Sequence, residues 1–75
     1  MSGDSIATRI KARRKALGMT QVDLAHVSGL RQATISRVEA GVFHPGSELL
    51  FQFARGLAVS SDWLLGLPGV HAGGE

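Results

Sequence analysis

The stretch SGLRQATISRVEAG, Ser28 to Gly41, holds a helix-sized middle closed off by a glycine on each side, and within that helix only Ile35 and Val38 are large and apolar. At 100° per residue these two share one face, while Ala33, Ser36, Arg37 and Ala40 cluster opposite. An ordinary surface helix carries Lys and Glu on its outer face, because long charged side chains are soluble and good helix formers. This one is anchored on one side and slim on the other. Taken alone, the pattern also fits a short polar helix facing solvent, so the flanking residues must decide.

The 75 residues suffice for one small domain, which buries roughly 60% of the surface its unfolded chain exposes. Without cysteine there is no disulfide and no thiolate metal site, so stability is expected from packing, helped by dimerisation, in a reducing cytoplasm. Apolar residues make up 44% of the chain, but no run approaches the ~18 needed to span a bilayer. The opening MSGDSIATRIK lacks the apolar core of a signal peptide. The expectation is a soluble, cytoplasmic, nucleoid-associated protein with no membrane partner.

Charge is distributed unevenly. From Arg9 to Arg37 there are seven Lys/Arg against one acid, Asp23, whereas Glu39 to Glu75 holds one arginine, Arg55, against four acids. A basic first half suits a face that meets a polyanion, and nucleic acid fits better than a membrane because no helix combines that charge with a broad exposed apolar side.

Five segments are marked out, none with strand period, so the fold class is all-α. The first runs from about Ser5 to Leu17, with Ile6, Ile10 and Leu17 at helical spacing and Gly18 as a left-handed cap. Thr20 opens the second, with Asp23 completing a near capping box and Val22, Leu24, Ala25 and Val27 as its expected buried side, up to Gly29. The third spans about Gln32 to Ala40. The fourth follows Pro45-Gly46 from about Ser47 to Leu57, where Leu50, Phe53, Ala54 and Leu57 form a stripe widened by Leu49 and Phe51, together the expected core. The fifth, about Ser61 to Leu65, lies behind an N-cap Ser60. A domain over 1–66 and a flexible tail over 67–75, rich in glycine, complete the expectation.

The second and third segments are joined by about three residues centred on Gly29-Leu30-Arg31. Two helices cross steeply over so short a joint only if the inward residue of the first is small, the turn residue tolerates positive φ, and apolar residues of the second reach back. Ala25, Gly29, and Ile35 with Val38 meet these demands in order. The pattern is a helix-turn-helix over Gln21 to Ala40.

Here the chain resembles the phage repressor and Cro group of regulators, the XRE family, over about Ile6 to Gly66. The resemblance rests on RIKARRKALGMTQVDLA (Arg9 to Ala25), ATISRVEAG (Ala33 to Gly41), the HP before the fourth helix, and LAVSSDWLLG (Leu57 to Gly66). It implies a compact five-helix, lambda-repressor-like domain that binds double-stranded DNA as a homodimer and regulates transcription from a palindromic operator. It also implies that Gln32, Ala33, Thr34 and Arg37 face base edges in the major groove. Gln pairs with adenine and Arg with guanine in bidentate fashion, and Ala touches a thymine methyl. The wheel puts Ala33 and Arg37 centrally outward, Gln32 at the leading edge and Thr34 on the margin. Ser36 and Ala40 are slim enough to let the backbone approach DNA.

For phosphate contacts the candidates are Thr20, Gln21, Arg14, Arg31, Ser36 and Gly41. Thr20 and Gln21 stand at a helix N-terminus, whose free N–H groups and dipole favour an anion, although Gln21 also fits an exposed first-turn residue. By the resemblance, Arg14 and Glu39 pair beneath the DNA face, with Glu39 orienting Arg14 toward a phosphate. Arg9, Lys11, Arg13 and Lys15 are either backbone contacts or a solvated basic face. Arg31 stands where the family usually has a capping Ser or Thr, which places positive charge at the unfavourable end of a helix; a phosphate or base at the edge of the half-site would offset this. The loop Gly41-Val42-Phe43-His44 lacks the basic residues common there, leaving the Gly41 N–H as its phosphate donor.

Trp63 is either a core residue packed on the fourth helix or, with Leu65, part of an apolar patch pairing two copies across a two-fold axis. An enzyme is not expected: His26, His44 and His71 lack metal-ligand spacing, no Ser, His and acid converge, and no cofactor is implied. The rival reading is an interaction module, such as an antitoxin subunit binding a partner protein, with or without control of its own promoter.

Overall fold

Phe53 carries the largest fully buried side chain, and the helix that bears it is the one around which the others gather. The computed structural model describes residues 5–66, so the tail expected over 67–75 lies outside the described residues. Among the described residues there are five helices and no strands: α1 (Ile6–Ala16), α2 (Gln21–Ser28), α3 (Gln32–Glu39), α4 (Ser47–Leu57) and α5 (Ser61–Leu64). None of them is long and apolar enough to cross a membrane.

Three of the five helices, α1, α2 and α5, begin at a side-chain cap. Ser5 caps α1 by accepting the Thr8 N–H, and Ser60 caps α5 by accepting the Trp63 N–H. Thr20 and Asp23 form a full capping box, with Asp23 N–H donating to Thr20 Oγ1 at 3.0 Å and Thr20 N–H to Asp23 Oδ2 at 2.9 Å. At the end of α1 the Gly18 and Met19 N–H groups return to the carbonyls of Lys15 and Arg14, the double hand-back of a Schellman turn. The same pattern closes α3 through Gly41 and Val42, and α4 through Ala58 and Val59. In the last case the left-handed position (φ 58°, ψ 44°) is held by alanine.

The core is one cluster. Leu50, Phe53, Ala54 and Leu57 of α4 meet Ile10 of α1, Leu24 of α2, Ile35 and Val38 of α3 and Leu64 of α5. The α2 helix packs on α3 and α4, α1 lies across α3, α4 and α5, and α5 closes on α4 and α1. Close approach of α2 to α4 depends on Gly56, where a Cβ would stand 2.9 Å from the Ser28 Cβ and 3.3 Å from its Cα.

Two expectations about burial need correction, one on α2 and one on α4. Val22 and Val27 are 47% and 54% exposed. The inner side of α2 is instead Leu24, half-buried Ala25 and Ser28, the side that packs between α3 and α4. Phe51 is 56% exposed on the outer side of α4, lying 5.9 Å from the Arg55 guanidinium, while Leu49 is partly buried against the core. Leu17, the last residue of the α1 stripe, is exposed at the C-cap.

Candidate nucleic-acid interface

The α2–α3 joint has the construction that its sequence requires. Gly29 takes φ 76° and its N–H closes on the Ala25 carbonyl, a left-handed geometry that costs an L-residue roughly 1–2 kcal/mol. Buried Ser28 ties the joint from inside: its hydroxyl donates to the Leu24 carbonyl at 2.6 Å and accepts the Leu30 N–H at 3.2 Å. Ile35 and Val38 are fully buried, so the orientation of α3 is fixed by two side chains. The other side is open: Gln32, Ala33, Ser36, Arg37 and Ala40 are all exposed, and Thr34 is half-buried on the margin. Arg31 holds the N-cap position in extended geometry with no side-chain cap bond, as the residue type predicts, and its side chain is exposed.

Beneath this face lies a buried ion pair. Arg14 Nε donates to Glu39 Oε2 at 2.7 Å and Nη2 to Oε1 at 2.9 Å, while Nη1 donates to the Met19 carbonyl at 2.8 Å. Gln21 Nε2 adds a bond to Glu39 Oε1 at 3.2 Å. Hydrogen bonding to Glu39 and its charge push the Arg14 pKa up against the opposing effect of burial. Asp23 in the capping box is shifted down, because the Thr20 backbone N–H and hydroxyl favour its charged form. The network thus ties α1, the start of α2 and the end of α3 together.

Above the ion pair opens a cleft of about 360 Å³ walled by Lys11, Arg14, Lys15 and Gln21 on one side and by Ser36, Glu39 and Ala40 on the other. Three cations face one carboxylate, so the cleft is net positive. It runs directly into the slim face of α3, with which it shares Ser36 and Ala40.

The basic residues of α1 therefore separate into two sets that sequence alone left together. Lys11 and Lys15 are exposed at the cleft. Arg9 and Arg13 are turned inward to helix ends, and neither is a merely solvated charge. Arg13 Nε donates to the Leu57 carbonyl at 2.9 Å, and Arg9 Nε donates to the Trp63 carbonyl at 2.7 Å with its guanidinium 4.6 Å from the Trp63 ring centroid. At Leu57 the cation meets a carbonyl at the last residue of α4 and complements the helix dipole, while the Trp63 carbonyl accepts the Gly66 N–H as well as Arg9. One further expectation fails: the Gly41 N–H, assigned to a phosphate, donates to the Val38 carbonyl at 3.0 Å and is taken by the turn. Trp63 is half-buried against the core, and Leu65 is exposed beside it.

Known proteins share this fold. The helix-turn-helix family matches residues 10–64. The chain belongs to that family. An uncharacterised HTH-type transcriptional regulator of Archaeoglobus fulgidus is 42% identical to this helix-turn-helix chain over 48 residues, covering 64% of it and 69% of the relative. The P22 c2 repressor, solved with a synthetic operator, superimposes with a TM-score of 0.75 at 34% identity, over 81% of this chain and 92% of that one. The restriction-modification controller protein C.AhdI of Aeromonas hydrophila gives a TM-score of 0.76 at 27% identity, over 80% and 91%. Family and fold are those of DNA-binding transcription regulators of the repressor type.

Proposed function

We propose that the chain binds double-stranded DNA in a sequence-specific manner, as a homodimer on a palindromic operator, with α3 in the major groove. The observation that carries this reading is the continuity between the exposed, slim face of α3 and the cationic cleft behind it. A helix bearing long side chains would hold the duplex off; one bearing Ala33, Ser36 and Ala40 lets base edges come within reach of Gln32, Thr34 and Arg37. A backbone phosphate then occupies the cleft, held by Lys11, Lys15, the remaining amide hydrogen of Gln21, the hydroxyl of Ser36, and Arg14 at the wall, with the Thr20 hydroxyl, at the N-cap of α2 beside Gln21, contacting the same strand. Arg31 contacts a phosphate or base at the edge of the half-site. Glu39 acts by holding Arg14 and Gln21 in register, and the pair as a whole adds little net stability because desolvation offsets its attraction.

One such module buries only ~600–1,000 Å² on DNA, so pairing through Trp63 and exposed Leu65 is the route to useful affinity. It sets the two recognition helices about one turn, ~34 Å, apart. The test is selection of binding sites from random duplexes followed by salt titration on the selected site. An enriched palindrome supports both DNA reading and dimer symmetry. An absence of enrichment overturns the reading and favours an interaction module that holds a partner protein.

A further inference from the structure

Beside the C-terminal half of α3 lies a notch of about 270 Å³ lined by Thr34, Arg37, Phe43 and Leu49. Its wall is mainly hydrocarbon, with Phe43, 47% exposed, and half-buried Leu49 contributing apolar side chains. Two of these four residues belong to the proposed base-reading set, so the notch continues the face of α3. Phe43 and its neighbour Val42 leave apolar surface exposed in a loop without Lys or Arg, and the loop's Gly41 and Val42 N–H groups are committed to Val38 and Arg37. What this loop offers a partner is therefore shape and hydrocarbon.

A duplex presents few groups that match. In the major groove its one protruding hydrocarbon is the C5-methyl of thymine, which sits on the same edge as the guanine atoms an arginine pairs with. We propose, resting on the DNA-binding reading above, that this notch receives the C5-methyl of a thymine next to the base pair read by Arg37. Phe43 is then a specificity-determining residue outside the recognition helix. Arg37 at the rim fixes the register, and the Phe43 ring covers the methyl from the loop side. The contact replaces water on both hydrocarbon surfaces and needs no donor from the loop.

Deoxyuridine in place of thymine tests this, since it removes the methyl and keeps every hydrogen-bonding atom. Sites are first selected from random duplexes, and each thymine of the winner is then replaced singly by deoxyuridine. The position next to the guanine whose preference disappears in Arg37→Ala is expected to lose roughly fourfold in affinity, the worth of one buried methyl. Phe43→Ala abolishes that difference while retaining the preference for guanine at the Arg37 position, which certifies that the variant is folded. No thymine at that position, no effect of deoxyuridine in the wild-type protein, or an effect that persists in Phe43→Ala overturns the proposal. Phe43→Ala weakening all sequences equally marks a sugar contact and overturns it too. Absence of any selected sequence is a separate result that overturns the DNA-binding reading itself.

Discussion

Arg14 on α1 and Glu39 at the last turn of α3 are joined by two hydrogen bonds of 2.7 and 2.9 Å, with side chains only 10% and 4% exposed. Removing one partner strands a charge that water reaches poorly, so Glu39→Ala is expected to destabilise the domain by about 3 kcal/mol. Replacing both residues by hydrocarbon, as in Arg14→Met with Glu39→Leu, should restore most of that loss because the pair's desolvation cost disappears with it. The restored double variant should still bind DNA poorly, since Arg14 itself is gone from the cleft wall and Gln21 has lost its holding bond. Thermal melts alongside DNA titration check this. A double variant with full affinity would remove the ion pair from the binding account.

The basic residues of α1 should separate by experiment as they do by position. Lys11→Ala and Lys15→Ala are expected to flatten the dependence of log affinity on log salt by about 0.9 per lost phosphate contact, leaving the melting midpoint nearly unchanged. Arg31→Ala should behave in the same way. Arg9→Ala and Arg13→Ala remove charged donors from helix-end carbonyls and are expected to cost roughly 1.5 kcal/mol each in stability, with the salt slope intact.

Asp23 gives α2 a pH-dependent start. Its folded pKa is held below the ordinary value by Thr20, so its contribution is complete above about pH 3.9, the unfolded value, and is lost as pH falls through the lower folded value. The stability gap between the wild-type chain and Asp23→Asn should therefore narrow as pH drops from 5 toward 2, roughly the interval over which the aspartate titrates. Urea melts across that range report it.

Gly56 and Ala58, two residues apart, should respond in opposite directions. On an exposed helix Gly→Ala stabilises by about 1 kcal/mol, but at Gly56 the new methyl meets Ser28 at 2.9 Å and Leu24 Cδ1 at 3.1 Å. Gly56→Ala is expected to lose about 1–3 kcal/mol through overpacking. Ala58→Gly relieves a left-handed alanine and should gain about 0.5–1 kcal/mol, the strain relieved less the added freedom of the unfolded chain. Chemical denaturation of the two variants decides both signs.

What could be read from the sequence was what acts within a few residues. The Thr20–Asp23 box, the turns at Gly18 and Gly29, the α4 stripe, and the anchoring of α3 by Ile35 and Val38 all follow from local spacing. The side of α2 that would be buried did not, because Val22 and Val27 look like core until α4 closes against Leu24 and Ser28 across Gly56. Nor did the destinations of Arg9 and Arg13, whose carbonyl partners lie 54 and 44 residues away. The Arg14–Glu39 pair was legible through family resemblance alone, and the notch at Phe43 was not legible at all, since it exists only once the α3–α4 loop folds beside Leu49.

The way α3 is fastened has an evolutionary consequence. Its placement depends on Ile35, Val38 and the Glu39 bridge, none of which lies on the open face. Gln32, Ala33, Ser36 and Arg37 can therefore be exchanged with little cost to folding, and the scaffold can acquire a new target by drift on one surface while the remainder is held constant by selection for stability.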